Sequence, residues 1–125
     1  MGEVRDTFKV TNIMTNVSID LDLLIDTGAV LPSISRDTFE KLGFNITSRV
    51  DVELGDGTTK VFDTCIACFS WHERIAASQT LILDYGVEGV IGQVILEQMD
   101  VNVHCTSNKI YPAHPAIAYP YLKFK

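Results

Sequence analysis

Residues 17–25 constrain the fold more than any other stretch of this chain. Val17, Ile19, Leu21, Leu23 and Ile25 fall on every second position, with Ser18, Asp20 and Asp22 between them. Successive strand side chains point to opposite faces, so this period of two describes a strand with one face on a core and the other in water. At Leu23-Leu24-Ile25 both faces turn apolar, so the strand runs inward, and the next residue is Asp26. A carboxylate at the end of an apolar strand is costly unless hydrogen bonds, charges or water reach it. Gly28 admits close approach of backbone or ligand, and the Thr27 hydroxyl is placed to hold the turn by a hydrogen bond. The segment Leu24-Ile25-Asp26-Thr27-Gly28-Ala29 therefore predicts a carboxylate that is presented rather than buried.

The neighbouring segments build a mainly β framework around this strand. Residues 8–13 also alternate, and Met14-Thr15-Asn16 can turn the chain back, which predicts an antiparallel hairpin with 17–25. Residues 50–54 and 58–62 alternate on either side of Gly55-Asp56-Gly57, and an Asp-Gly turn between alternating runs is a strong hairpin signal. Ser35 can cap a short helix over 36–42, with Asp37 in its first turn, Phe39 and Leu42 on one face and Gly43 as the stop. Further strands are expected at 64–71, 75–83 and 101–105, a turn at Trp71-His72-Glu73-Arg74, and a second short helix over 94–99.

Composition narrows the function. With 125 residues, 46% of them hydrophobic, the chain suits one compact domain. Ten Lys and Arg face sixteen Asp and Glu for a net charge of −6, and no basic stripe is available to neutralise a phosphate backbone, so nucleic acid is excluded as a partner. No apolar run approaches a membrane span, and the N-terminal residues lack the apolar core of a secretion signal, so a soluble, cytoplasmic protein is expected. Cys65, Cys68 and Cys105 make an odd number, which favours reduced thiols over a disulfide framework. Cys65 and Cys68, with His72 and either His104 or Cys105, invite a zinc reading. Residues three apart on a strand point to opposite faces, so buried thiols fit that pair better than a metal site. His72, His104 and His114 have no Ser or Cys nucleophile in a recognisable setting.

The Asp26 loop has an echo downstream. Gly89-Val90-Ile91-Gly92 repeats its apolar-apolar-Gly pattern, and each loop leads within a few residues into a short helix, as in two degenerate copies of one unit of which only the first carries an acid. In this organisation the chain resembles the retropepsin-like family of aspartic peptidases, the small homodimeric relatives of the retroviral proteases. The family's apolar-apolar-Asp-Thr-Gly-Ala loop, glycine-containing flap hairpin and apolar-apolar-Gly loop correspond in order to Leu24 through Ala29, Gly55-Asp56-Gly57 and Val90-Ile91-Gly92. The resemblance runs in outline over residues 8–112, and residues 113–125 form a separate tail in which Pro115 and Pro120 alternate with Tyr119, Tyr121 and Phe124. Such a tail either remains disordered or packs on the body, on a partner or near the cleft as a built-in inhibitor.

The resemblance implies a closed β-barrel of the acid-protease type and a catalytic Asp26. It implies supporting roles for Thr27, Gly28, Ala29, Val90, Ile91 and Gly92, and a flap at Gly55-Asp56-Gly57. One chain supplies one acid where the chemistry takes two, so a homodimer acting on an extended, apolar polypeptide is implied, without metal or cofactor. Retroviral members usually carry an acidic residue after the Ala and an Arg after the downstream Gly. Here Val30 and Gln93 stand in those places, so both partners of that ion pair are missing together, which points to a differently built interface. Two rivals stand beside this reading. One is a peptide-binding module of the same fold that does not cut. The other is phosphate chemistry, but actin-like kinases need a much longer chain, and phosphoaspartate phosphatases want a second Asp where this chain has Gly28.

Overall fold

The computed structural model describes residues 3–104, 107–114 and 119–122. Cys105, expected at the end of a strand, and Pro115 and Phe124 of the tail lie outside the described residues. In chain order the elements are β1 (Arg5–Asn12), β2 (Val17–Ile25), β3 (Ser33–Ser35), α1 (Arg36–Lys41), β4 (Ser48–Glu53), β5 (Thr59–Trp71), β6 (Arg74–Leu83), β7 (Val90–Ile91), α2 (Gln93–Met99), β8 (Val101–His104) and β9 (Lys109–Pro112).

Among the described residues, one sheet runs in the order β3-β6-β5-β1-β2-β7, with β4 joined to β5 off this path, while β8 and β9 form a separate ribbon. The expected hairpins are present: β1 and β2 pair with Phe8 opposite Leu21 and Val10 opposite Ile19, and β4 and β5 pair on either side of the Gly55-Asp56-Gly57 turn. The sheet's two outer strands then approach each other. The Val90 N–H at the start of β7 donates to Ser33 Oγ at the start of β3 over 3.0 Å, so the sheet nearly closes into a barrel. Its interior holds Phe8, Val10, Ile34, Phe69, Ile91, Ile95 and Met99, all fully buried. Withdrawing each such side chain from water contributes about 1.5–3 kcal/mol, which makes the alternating runs the main source of stability.

The runs expected as two strands, 58–62 and 64–71, are one strand, β5. Asp63 and Thr64 break the apolar alternation there, yet both are satisfied laterally. The Arg49 Nε–H donates to Asp63 Oδ1 at 3.0 Å, and Ser48 Oγ meets Thr64 Oγ1 at 2.7 Å, so the backbone continues through them. Strands β3, β7 and β9 are additions to the sequence expectation.

Helix α1 begins as its cap residue predicts, since Ser35 Oγ accepts from the Thr38 N–H at 3.3 Å, and it ends at Gly43 with φ of +70°. Ser35→Ala should lower stability by about 1 kcal/mol with an unchanged urea m-value. A loss below a few tenths would show that this cap contributes nothing. Helix α2 has no side-chain cap at Gly92, but its C-terminal carbonyls are served by Arg74, which is almost fully buried and donates from Nη1 to the Met99 carbonyl at 2.6 Å. A cation at a helix C-terminus meets the negative end of the helix dipole.

Candidate active site

Strand β2 delivers Asp26 to the surface. Its last residues are held on both sides: the Ile25 N–H donates to the Val4 carbonyl at 2.8 Å, and the Asp26 N–H to the Ile91 carbonyl at 2.9 Å. The chain then turns back tightly, with the Gly28 N–H donating to Asp26 Oδ1 at 2.9 Å and the Ala29 N–H to the Asp26 carbonyl at 3.1 Å. This corrects the expectation for Thr27, whose hydroxyl makes no hydrogen bond among the described residues. The carboxylate two positions before the Gly28 N–H already closes the turn as an Asx turn does. Asp26, Thr27 and Gly28 are all exposed.

The second apolar-apolar-Gly loop lies directly against the first. Leu24 pairs with Val90 and Ile25 with Ile91 in parallel, and beyond them the Gln93 N–H donates to the Ala29 carbonyl at 2.7 Å and the Val94 N–H to the Val30 carbonyl at 3.0 Å. Gly92 is required by this contact, since a Cβ there would stand 2.6 Å from the Leu31 carbonyl oxygen and 2.9 Å from that of Ala29. Gly89 is tighter still: its Cβ would fall 1.9 Å from the Ser33 carbonyl oxygen. Sequence reasoning passed over Ser33, whose hydroxyl holds Val90, because a single Ser after Pro32 carries no signal of a partner so far along the chain. Val30 is exposed and neither it nor Gln93 carries a charge, so no ion pair joins these two positions.

A groove of about 600 Å³ opens above this loop. Asp26, Gly28, Ala29, Val30 and Leu31 form its floor, and the opposite wall is the end of β4 from Val50 to Glu53 with Leu54 after it, and Gly55 of the hairpin turn stands at its rim. Among the described residues strand β4 pairs only with β5, which leaves its other edge without a strand partner. Asp56 knots the turn, its Oδ1 accepting from the Thr58 hydroxyl at 2.6 Å and from the Thr58 N–H at 3.0 Å, and Gly57 takes φ of +87°.

The Thr58 hydroxyl and N–H donors hold the Asp56 carboxyl below the usual aspartate pKa. A depressed folded-state pKa stabilises the turn fully above the ordinary aspartate pKa, and that contribution fades as pH falls through the lowered value. The hairpin tip should therefore keep its slow amide exchange down to a pH below the usual carboxylate range, and Asp56→Ala should abolish both the protection and its acid dependence. Loss of protection with a midpoint above that range would refute the knot.

A second depression of about 510 Å³ lies on the other flank of the loop, lined by Thr27 and Gln93 together with Leu96, Asp100, Ala113 and Leu122. The described tail residues lie against the body here. Asp100, the left-handed cap of α2, accepts from the Ala113 N–H through its carbonyl at 2.8 Å and from the Tyr121 N–H through Oδ2 at 3.0 Å, and Oδ2 also meets His114 Nδ1 at 2.6 Å. Burial works to raise the Asp100 pKa, but the contacts from His114 and Tyr121 outweigh it and hold the carboxyl low.

The cysteines behave as the strand period requires. Cys65 is buried, which pushes its thiol pKa up to about 12, while Cys68, three residues on, is only half-buried on the other face and is raised by the same cause. The expected pair of buried thiols is thus one buried and one partly exposed. Among the described residues no three His, Cys, Asp or Glu side chains gather in a metal-binding cluster, and no helix is long and apolar enough to cross a membrane.

Comparison with known proteins identifies the architecture. The retroviral protease-like domain of Ddi1 from Leishmania major has a similar structure, with a TM-score of 0.58 at 14% sequence identity, covering 98% of this chain and 96% of that one. The chain thus has a retropepsin-like fold, and at this identity it is the fold alone that is shared. No family model matches the chain, and no curated protein matches it by sequence.

Proposed function

We propose that this chain is one subunit of a homodimeric aspartic endopeptidase. The observation that carries the reading is the placement of Asp26: an exposed carboxylate at the floor of a groove whose far wall is β4, with one edge unpaired among the described residues, and whose rim is the Gly55 turn. An extended peptide laid along that edge would be held through its main chain, with Val30, Leu31, Val50, Val52 and Leu54 offering apolar surface to its side chains. The hairpin would close over it as a flap and exclude water.

Asp51 and Glu53 also line the groove, on its opposite wall, but of the three acids Asp26 alone stands in the glycine loop of the floor, so this reading takes the other catalytic acid from a second copy. Two carboxylates in contact resist double ionisation, and their titrations separate so that one is charged and one protonated. The charged Asp26 accepts a proton from water as the water oxygen attacks the scissile carbonyl, while the protonated one donates to the carbonyl oxygen. Collapse of the resulting diol passes a proton to the leaving amine and restores the pair. The Thr27 hydroxyl, exposed and without a partner among the described residues, is available to the second subunit. No metal or cofactor takes part. Free thiols at Cys65 and Cys68 suit the cytoplasm, where they stay reduced.

Sizing at increasing concentration, with and without pepstatin, paired with hydrolysis of a broad peptide library from acid to neutral pH, tests the reading. A dimer that cleaves and tightens with pepstatin is expected. A dimer that binds peptides but cuts none would leave a recognition module, and a monomer at all concentrations would remove the catalytic reading altogether.

A further inference from the structure

The β4–β5 hairpin leaves the barrel at a definable point. Pairing between β5 and β6 ends with Thr64 opposite Leu81, and among the described residues those of β5 before Thr64 pair only with β4. Asp63 is the first residue beyond that boundary. Its carboxylate is shared by two guanidinium groups: Arg49 of β4 approaches Oδ1 at 3.0 Å, and Arg36, the first residue of α1, approaches Oδ2 at 3.5 Å. Arg49 is directly opposite Asp63 in the register, so that contact lies within the hairpin. Arg36 belongs to the body, on the helix that follows the Asp26 loop. A recess of about 270 Å³, with Arg36, Ile82 and Asp84 on the body side and Arg49, Lys60 and Asp63 on the hairpin side, separates the two and leaves room for them to move against each other. Lys60 Nζ spans it to Asp84 at 3.9 Å, longer and more exposed than the Asp63 contact.

We infer that Asp63 is the positioning residue of the hairpin: through Arg36 it sets how far the Gly55 turn stands from Asp26, and so how readily the groove opens. Backbone pairing alone leaves a two-stranded projection free to pivot, because an isolated hairpin has no packed face to fix its angle. Asp63 and Arg36 are each only about a quarter exposed, at 24% and 28%, so their attraction is less screened than that of a fully solvated pair. The inference rests on the hairpin acting as the flap of the proposed peptidase, but its mechanical part stands without catalysis.

Amide hydrogen exchange over residues 49–62 tests that part in the full chain. Asp63→Asn and Arg36→Gln should each raise exchange of the segment about fivefold, whereas Arg49→Gln, which cuts only the contact inside the hairpin, should leave the pivot unchanged. Asp63→Glu keeps the carboxylate and should restore most of the protection. High salt should move the wild type toward Asp63→Asn and shift that variant less, through the weaker Lys60–Asp84 contact that remains. Unchanged exchange in both Asp63→Asn and Arg36→Gln, or equal loosening in Arg49→Gln, overturns the assignment whether or not the protein cuts peptides. In an active dimer, Asp63→Asn should weaken pepstatin binding several-fold and raise KM with kcat nearly constant. A fall in kcat alone would assign Asp63 to the chemistry instead. Loosened exchange in a protein that never cleaves would sink the peptidase reading and leave the tie intact.

Discussion

Asp26→Asn is expected to abolish peptide hydrolysis while the protein still folds and pairs. In a homodimer the substitution removes both acids at once, and since a general acid and a general base each contribute about 10²–10⁴-fold, the loss should reach about 10⁴-fold or more. The fold should survive, because an Asn oxygen can still accept from the Gly28 N–H that Asp26 Oδ1 now takes at 2.9 Å. Pairing should be at least as tight, since two neutral amides replace carboxylates that repel when both are charged. Mixing provides a sharper check: with the variant in ninefold excess over wild type, most wild-type chains are trapped in mixed dimers, and activity per wild-type chain should fall about tenfold by mass action. Undiminished activity in that mixture would mean that each chain works alone. The wild-type rate should also follow a bell-shaped pH profile, falling on the acid side when both carboxyls are protonated and on the alkaline side when both are ionised.

Gly89→Ala should have the largest effect on stability. The added methyl would sit 1.9 Å from the Ser33 carbonyl oxygen and 2.8 Å from the Ile34 Cα, both of them backbone, so no rotamer change relieves the overlap. Either β3 or β7 must move, and with it the closure of the barrel. The expected cost is about 4 kcal/mol or more, a large part of the roughly 5–15 kcal/mol that holds a domain together, with a Tm lower by roughly 15 °C or no soluble protein. Gly55→Ala is the control, since nothing lies within 4 Å of its added carbon, and it should change stability by less than about 0.5 kcal/mol. Equal melting of the two variants would show that β3 and β7 do not close the sheet.

The sequence made some of this architecture readable and hid the rest for physical reasons. Elements with a repeated period declared themselves: β2 through its five alternating apolar residues, the β4–β5 hairpin through its Asp-Gly turn, and α1 through Ser35 and Gly43. Strands β3 and β7 are three and two residues long, too short for any period. They exist because partners far along the chain, Leu81 to Leu83 for one and Leu24 with Ile25 for the other, hold them. Arg74 was similarly opaque. In the run Trp71-His72-Glu73-Arg74 it resembles a solvated turn residue, and its contact with the end of α2 is invisible at that distance along the chain. At the candidate site the acid and both glycine loops were visible as patterns. That Asp26 itself ties the turn, leaving the Thr27 hydroxyl exposed, depends on local geometry that residue types do not specify.

The backbone bonds from Asp26 to Ile91 and from Gln93 to Ala29 join residues more than sixty positions apart. Such pairings form late, because a long loop of chain must be closed before they reward it. During synthesis the first ninety residues can therefore build hairpins and helix α1, but the loop that displays the acid is not braced until residue 94 has left the ribosome. A half-made chain would carry an unsupported aspartate, so the floor of the groove is complete only once the second glycine loop has been made.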